Sequence, residues 1–392
     1  MPRTRIAAIG LIALFASTTS AAPPYAAELV FPLHPKHNHA PGIAECPNGD
    51  LIVSWYRGSG ERTADDVAVY GARRRKGSDK WSDAFLLADT PGFPDCNTAL
   101  HVDAQNRLWL FWPTIIDNNW SSCQTNYRIA SKFDGDGAPT WDWQGIMFLK
   151  PIDFEATMLR GLEERAKQFP DALKGSPEMI AKLKEKIGDK LLSRLGWQPR
   201  CKPTVLPSGR ILLPLYSDTF SVSLMAISDD NGKTWFASRP LAGYGNIQPA
   251  VLRRNDGSLV AYMRENGPIK KVRVAESKDD GLTWGPIGAC DLPNPGSGLD
   301  AVRLANGHWL IVYNDTISGR SSLALSISDD EGRTWKWTRH LEKSDTGRYH
   351  YPAIIQGRDG TIHAVYSYFV TGGKSMKHAA FTEEWVRQGD GP

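Results

Sequence analysis

The sequence predicts an all-β fold, a six-bladed β-propeller with a helical insertion at about residues 153–196, and three observations carry that expectation. First, the pattern S-x-D-x-G-x-T-W is written three times, as Ser228 to Trp235, Ser277 to Trp284 and Ser328 to Trp335, 49 and 51 residues apart. A period near 50 residues is the length of one four-stranded blade. Second, a turn with Gly or Asn followed by an apolar run recurs six times, starting at Asn48, Asn106, Ser208, Asp256, Asn306 and Asp359. Third, 36 Gly and 26 Pro among 392 residues, with 41% hydrophobic and 10% aromatic content, describe a turn-rich chain that still buries a large core.

The elements follow in chain order. Residues 1–22 carry Arg3 and Arg5, an apolar run from Ile6 to Phe15 and small residues from Ser20 to Ala22, the pattern of a secretory signal. That run is too short to span a bilayer and no later stretch is longer, so the expectation is a secreted or periplasmic protein without a membrane span, residues 23–392 forming one propeller domain. Without Arg3 and Arg5 the 46 basic side chains fall to 44 against 43 acidic ones, a balance that argues against a nucleic-acid partner.

The five cysteines, Cys46, Cys96, Cys123, Cys201 and Cys290, show no C-x-x-C spacing, which disfavours a zinc site. Cys96 and Cys123 flank one expected strand pair and are placed to bridge in an oxidising compartment; the alternative is five buried thiols. The acidic run Asp134 to Asp136 lacks the spacing of a calcium site, and neither a metal nor a cofactor is expected.

Each of the six repeated runs reads as a blade strand buried on both faces, an inner strand of its sheet. The Gly residues of the last four copies, Gly209, Gly257, Gly307 and Gly360, lie 48, 50 and 53 apart, whereas Asn106 and Gly209 are 103 apart, so an insertion falls in or after the second blade. From Asp153 to Gly196 the text turns rich in Leu, Lys, Glu and Ala, with Met179, Leu183, Ile187 and Leu191 at helical spacing and breaks at Pro170 and at Gly175 to Pro177. It reads as two or three amphipathic helices packed on the propeller. Eroded copies of the eight-residue pattern stand at Lys76 to Trp81 and Ser131 to Trp141.

Repeats of S-x-D-x-G-x-T-W on six blades resemble the sialidase (neuraminidase) superfamily, in particular its bacterial sialidase-like branch of BNR, or Asp-box, repeat proteins. The Asp-boxes themselves carry no catalytic atoms. The resemblance implies three arginines that hold a substrate carboxylate, a Tyr paired with a Glu as nucleophile, and an Asp as acid/base. On this sequence it places the second arginine at Arg264 in Ala261-Tyr262-Met263-Arg264-Glu265, the third at Arg320 in Ile317-Ser318-Gly319-Arg320-Ser321, and the nucleophile at Tyr351 in Tyr349-His350-Tyr351-Pro352. Two arginines from neighbouring blades aimed at one point make a carboxylate clamp, and their field favours a phenolate between them. The bland alternatives are inter-blade ion pairs and a core aromatic.

At the front of the chain the pattern departs. His39, in His37-Asn38-His39-Ala40-Pro41, stands where the family has its first arginine, and Gln248, in Asn246-Ile247-Gln248-Pro249, where it has the Glu. A Gln is no base, which leaves it a substrate-binding role. The acid/base position falls on Asp66 or its neighbour Asp65, with a solvated turn carboxylate as the alternative. Asp300 and Asn314 lie at strand ends where substrate hydroxyls are bound; Arg200, Lys202, Asp218, Asn294 and Asp315 share that setting with less weight. Trp55, Tyr56, Trp112, Trp120 and Tyr244 are the aromatics available to stack on sugar rings.

The expected activity is therefore exo-hydrolysis of a terminal acidic sugar from a glycan, sialic acid or a relative. A second reading follows from the residue types alone. A lyase of uronate polysaccharides needs cations on the carboxylate and a His or Tyr to move protons, and His37, His39, Tyr351, Arg264 and Arg320 supply both. A non-catalytic carbohydrate-binding propeller is the third.

Overall fold

The computed structural model describes residues 24–168 and 177–391. The expected signal at 1–22 and the expected breaks at Pro170 and Gly175 lie outside the described residues. Six antiparallel sheets are strung along the chain and each packs against its neighbours around a ring, innermost strand beside innermost strand between blades I and II, IV and V, V and VI, and VI and I. Blade I holds His37–Glu45, Leu51–Gly58, Ala68–Arg74 and Phe85–Ala88; blade II holds Ala99–Val102, Leu108–Ile115, Cys123–Ala130 and Trp143–Ile146. Blade III contains Gln198–Pro199, Thr204–Val205, Ile211–Ser217, Val222–Ser228 and Phe236–Ala237, and blade IV Asn246–Arg253, Leu259–Glu265, Lys271–Ser277 and Gly288–Pro293. Blade V is Asp300–Arg303, Trp309–Tyr313, Ser322–Ser328 and Trp337–Lys343. Blade VI takes Arg348–Gln356, Ile362–Val370 and Gly373–Phe381 from the end of the chain and Tyr25–Leu29 from its start, Tyr25 opposite Phe381 and Leu29 opposite Lys377. This closure pairs a sheet edge that would otherwise stay open.

The six repeated apolar runs are the second strands of their blades, not the innermost ones. Leu108–Ile115 and Ile211–Ser217 are buried at every position because sheet neighbours flank them and adjacent blades cover both faces. The innermost strands line the axis and carry polar residues instead: His39, Gln248, Asp300 and Tyr351 all lie on them.

The Asp-boxes are the turns between third and fourth strands. In the first, Ser228 Oγ donates to Asp230 Oδ1 at 2.9 Å and accepts from the Gly232 amide at 2.8 Å, while Asp230 accepts from the Thr234 amide at 2.9 Å and from its hydroxyl at 2.6 Å. Ser277 to Thr283 and Ser328 to Thr334 repeat these bonds. Each turn reaches back to the preceding blade: Trp235 packs edge-on against Trp109 and Phe111, and Trp335 against Tyr262. Gly332 shows how close the approach is, because a Cβ there would lie 1.9 Å from the Tyr262 hydroxyl.

The insertion follows blade II as α1 (Phe154–Gln168) and α2 (Pro177–Gly188). Phe154, Met158 and Leu162 form the buried stripe of α1 and join Ile187, Trp197, Phe220 and Tyr244 in one cluster, each side chain contributing about 2 kcal/mol of apolar burial. Met179 and Leu191, expected on the apolar face of the second helix, are 58% and 63% exposed. Tyr244 Oη donates to the Met158 carbonyl at 2.7 Å, so the helices are tied to the segment that opens blade IV.

The expected Cys96–Cys123 bridge is absent. All five cysteines are free thiols, four of them buried, and Cys96 and Cys123 sit in one apolar cluster with Tyr56 and Ile115. Among the described residues no helix is long and apolar enough to cross a membrane and no group of His, Cys, Asp and Glu is arranged to hold a metal ion.

Candidate active site

Three innermost strands carry a proline followed by a small residue at the same place: Asn38-His39-Ala40-Pro41-Gly42, Asn246-Ile247-Gln248-Pro249-Ala250 and Tyr349-His350-Tyr351-Pro352-Ala353. In each the register jumps across the proline, which has no N–H to give the ladder. The residue before it takes a left-handed backbone, with φ of 51° at Ala40, 56° at Gln248 and 54° at Tyr351. Such conformations cost about 1–3 kcal/mol for a side-chain-bearing residue. Here they aim Gln248 and Tyr351 at the axis, at the end of the ring opposite the Asp-box turns.

There Tyr351 Oη accepts two hydrogen bonds, from Arg264 Nη1 at 2.7 Å and from Gln248 Nε2 at 3.1 Å. Gln248 Nε2 also donates to Tyr216 Oη at 3.1 Å, and Asn97 Nδ2 reaches that same hydroxyl at 3.1 Å. Burial, followed by the charge of Asp218, pushes Tyr216 well above the ordinary phenol range, so it stays neutral. Gln248 thus occupies the partner position beside Tyr351 and donates where a carboxylate would accept.

Three guanidinium groups surround the Tyr351 ring, their carbons 5.1 Å (Arg200), 5.4 Å (Arg320) and 6.0 Å (Arg264) from its centroid. They come from blades III, V and IV. Burial alone would lower the pKa of Arg264, but the charges of Tyr351, Tyr216 and Asp218 outweigh it and leave the group raised. Arg320, whose Nη2 donates to the Gly296 carbonyl at 2.9 Å, is lowered by burial. Sequence reasoning gave Arg200 little weight. It lies where the innermost strand of blade III advances from Pro199 to Thr204 while its partner goes only from Leu215 to Leu212. The signal was the dipeptide Gln198-Pro199, which repeats Gln248-Pro249.

Two carboxylates share the field of this cluster. Asp218, just past the second strand of blade III, accepts from Gln198 Nε2 at 2.9 Å; burial raises its pKa more than Arg264 and Arg62 lower it. Glu61, in the loop after the second strand of blade I, accepts from Tyr56 Oη at 2.7 Å and stands 3.3 Å from His37 Nε2. Burial would raise it, but the bonds from His37 and Tyr56 prevail and lower it.

The sequence-derived site residues fall into two groups. Tyr351, Arg264, Arg320, Gln248 and His39 come together. His39 is buried with its ring 4.2 Å from that of Tyr351 and 4.7 Å from His350, and its Nδ1 lies 2.8 Å from Ser367 Oγ. Burial pushes it well below the usual histidine range, so it adds no charge in place of an arginine. The others are engaged elsewhere. Asp66 is an exposed carboxylate bonded to Lys36 Nζ at 2.9 Å and to the Ser59 amide and hydroxyl, which hold its pKa at about 2; it keeps no proton to donate near neutrality. Asp65 accepts from Asn118 Nδ2 at 2.9 Å. Asp300 binds Lys202 Nζ at 2.8 Å and the Ile354 amide at 2.9 Å, fastening three blades together. Asn314 spends its amide on the Ser322 and Tyr349 carbonyls and is fully buried, which leaves no N–H for a substrate hydroxyl. Trp55 and Trp112 are core residues, whereas half-buried Trp120 lies under Arg62.

Comparisons with known proteins bear on the fold and the repeat. Residues 198–364 match the BNR repeat-like domain family. A sialidase of Micromonospora viridifaciens is 26% identical over 169 residues, 41% of this chain and 25% of that protein. An anhydrosialidase of Macrobdella decora is 23% identical over 301 residues, 72% of this chain and 38% of the other. The chain therefore spans well under half the length of the curated relatives it matches. Among solved structures, a Dyadobacter fermentans protein of unknown function superposes with a TM-score of 0.70 at 16% identity, covering 92% of this chain and 99% of that one. A leech intramolecular trans-sialidase complexed with 2,7-anhydro-Neu5Ac gives 0.68 at 12% identity, covering 95% and 72%. With six blades, three Asp-boxes and these relatives, the chain is a sialidase-like BNR-repeat protein.

Proposed function

We propose that the protein is an exo-acting glycosidase that removes a terminal acidic sugar, with Tyr351 attacking the anomeric carbon. The observation that supports this reading most is the Tyr351 hydroxyl, which accepts from Arg264 and Gln248 within a ring of three arginines. A phenolate formed there is met by two N–H donors and by the positive charge of the arginines. Arg264 and Arg320 are half-buried, and they clamp the sugar carboxylate. Asp218, which holds its proton to higher pH than a free carboxylate, gives that proton to the leaving oxygen as the glycosidic C–O bond breaks. Water then attacks the sugar–Tyr351 bond, Asp218 takes its proton, and the phenolate leaves. In this account Asp218 replaces Asp66 and Asp65 in the acid/base role.

The Gln at position 248 favours a second reading. A tyrosinate held by two N–H donors is also a base, able to take the α-proton of a uronate whose carboxylate the arginines neutralise. One assay separates the two. The protein is incubated with sialosides and with uronate polysaccharides, and both released reducing sugar and the absorbance of an unsaturated uronate product are followed. Sugar release without the chromophore supports the hydrolase, and the chromophore supports the lyase; binding with neither overturns both. Asp218→Asn should lower hydrolysis by about 10²-fold.

A further inference from the structure

We infer that the helical insertion builds the leaving-group side of this site: a groove beside Asp218 that takes an apolar aglycone, so that the substrate class is an acidic sugar linked to an alkyl chain rather than to a further sugar. The inference deepens the glycosidase reading and rests on it for the sugar and for the role of Asp218.

In that reading Asp218 gives its proton to the leaving oxygen, so the group that departs with the oxygen lies on the Asp218 side of the sugar. Thr219, Phe220 and Ser221 follow Asp218 directly and, with the insertion, wall a groove of about 680 Å³. Small-molecule sites run from about 300 to 1,000 Å³. Leu162 of α1, Met179 and Leu183 of α2, and Leu192 and Phe220 give the groove an apolar wall. Two hydrogen bonds lead from the arginine clamp to that wall. Arg264 Nη2 donates to Asn266 Oδ1 at 3.3 Å, and Asn266 Nδ2 donates to Ser221 Oγ at 3.2 Å. The groove and the sugar site are thus joined across the Asn266 side chain. At this junction Ser221 and Tyr244 take left-handed backbone, with φ of 51° and 49°, and the Ser221 carbonyl accepts from the Gly245 amide at 2.7 Å. Strain of this kind gathers where a surface is shaped for a ligand.

The insertion also leaves apolar surface uncovered on this side. α2 buries Ile187 against the propeller, whereas Met179, on the groove, is 58% exposed and Leu183 is half-buried. The charged side chains of the lining, Lys182, Lys186 and Asp189 among them, belong to exposed residues at its rim. Tyr244 has already spent its hydroxyl donor on the Met158 carbonyl. The wall therefore offers area rather than hydrogen bonds, which suits a chain of methylenes and not a second ring of hydroxyls. Met179, unbranched and adaptable, fits itself to such a chain.

The test compares methyl and octyl glycosides of the same acidic sugar, N-acetylneuraminic acid and glucuronic acid in turn, below the micelle concentration of the octyl compounds. Each methylene taken from water into the groove is worth about fourfold, so wild-type kcat/KM should favour octyl by at least about 30-fold. In Met179→Gln/Leu183→Gln that ratio should fall by about tenfold or more, and in Met179→Gln, which changes an exposed position, by about threefold. Leu191→Gln, 63% exposed and outside the groove, should keep it within about twofold. A wild-type ratio close to unity, or a ratio that survives in both groove variants, overturns the inference and leaves the glycosidase standing. If neither glycoside is hydrolysed, the glycosidase falls and calorimetric titration decides the groove. Octyl binding at least about tenfold tighter than methyl, and weakened in Met179→Gln, keeps it; equal binding removes it.

Discussion

The two ends of the propeller are built on opposite principles. At one end three Asp-box turns repeat the same four hydrogen bonds with distances that agree within a few tenths of an ångström, and Ser, Asp and Thr are partnered in all three. At the other end Ala40, Gln248 and Tyr351 occupy the same bulge in three blades yet share no chemistry. Buried polar atoms lack partners at both ends, Nε of Arg200 and Arg264 and Nδ1 of His350 at this one and Nε1 of Trp235 and Trp335 at the Asp-boxes. Repetition marks the end that holds blades together, and departure from repetition marks the end proposed to bind. An unpaired buried donor costs about 1–3 kcal/mol wherever it stands.

Variants at the two ends should therefore separate activity from stability. The largest effect is expected from Tyr351→Phe, which should lower turnover by about 10³-fold or more and leave the melting temperature within about 2 °C of wild type. Parallel rate measurements and thermal scans read both quantities. Gly332→Ala inverts that result. A left-handed Ala whose Cβ meets the Tyr262 hydroxyl and Trp309 should cost about 3 kcal/mol in urea unfolding, with unchanged turnover per folded molecule. Asp279→Ala removes the bonds to Ser277 and to the Thr283 amide and should cost about 1–2 kcal/mol by the same measurement.

The smallest expected effect is a pH dependence with opposite signs at the two ends. Asp230 and Asp330, held at about 2 mainly by Thr234 in the first and by Thr334 against burial in the second, are depressed in the folded state. Their contribution is complete above the unfolded carboxylate value near 4 and disappears as pH falls towards 2. Asp218 is raised by burial, so its ionisation opposes folding, and that cost develops as pH rises through the unfolded value. Urea midpoints of Asp230→Asn and Asp218→Asn against wild type between pH 2 and 7 should diverge in opposite directions.

The same contrast explains what was legible in the sequence. Blade count, the Asp-box turns and the insertion were readable because they rest on period, turn chemistry and helical spacing, all of them local. The closing strand Tyr25–Leu29 was not, since its partner lies at the far end of the chain and nothing local marks it. The repeated apolar runs were read as inner strands, and burial on both faces does not tell which inner position they take. In the site, Tyr351, Arg264, Arg320 and Gln248 were found through resemblance, and Gln248 does stand beside the phenol. Arg200, Asp218 and Glu61 received little weight or none, because each gains its meaning from blades brought around the axis. Asp66 and Asn314 had the right residue types at strand ends. Only their hydrogen bonds to Lys36 and Ser59, and to the Ser322 and Tyr349 carbonyls, reveal that they are already engaged.

The central claim is that Tyr351 forms a bond to an acidic sugar, and trapping tests it most directly. The protein is mixed with a terminal acidic glycoside bearing a good leaving group, quenched in acid during turnover, and digested for peptide mass spectrometry. The account predicts that the peptide containing Tyr351 gains the mass of one sugar residue and that Tyr351→Phe shows neither the adduct nor turnover. Steady hydrolysis with an unmodified Tyr351, retained at full rate in Tyr351→Phe, would contradict it.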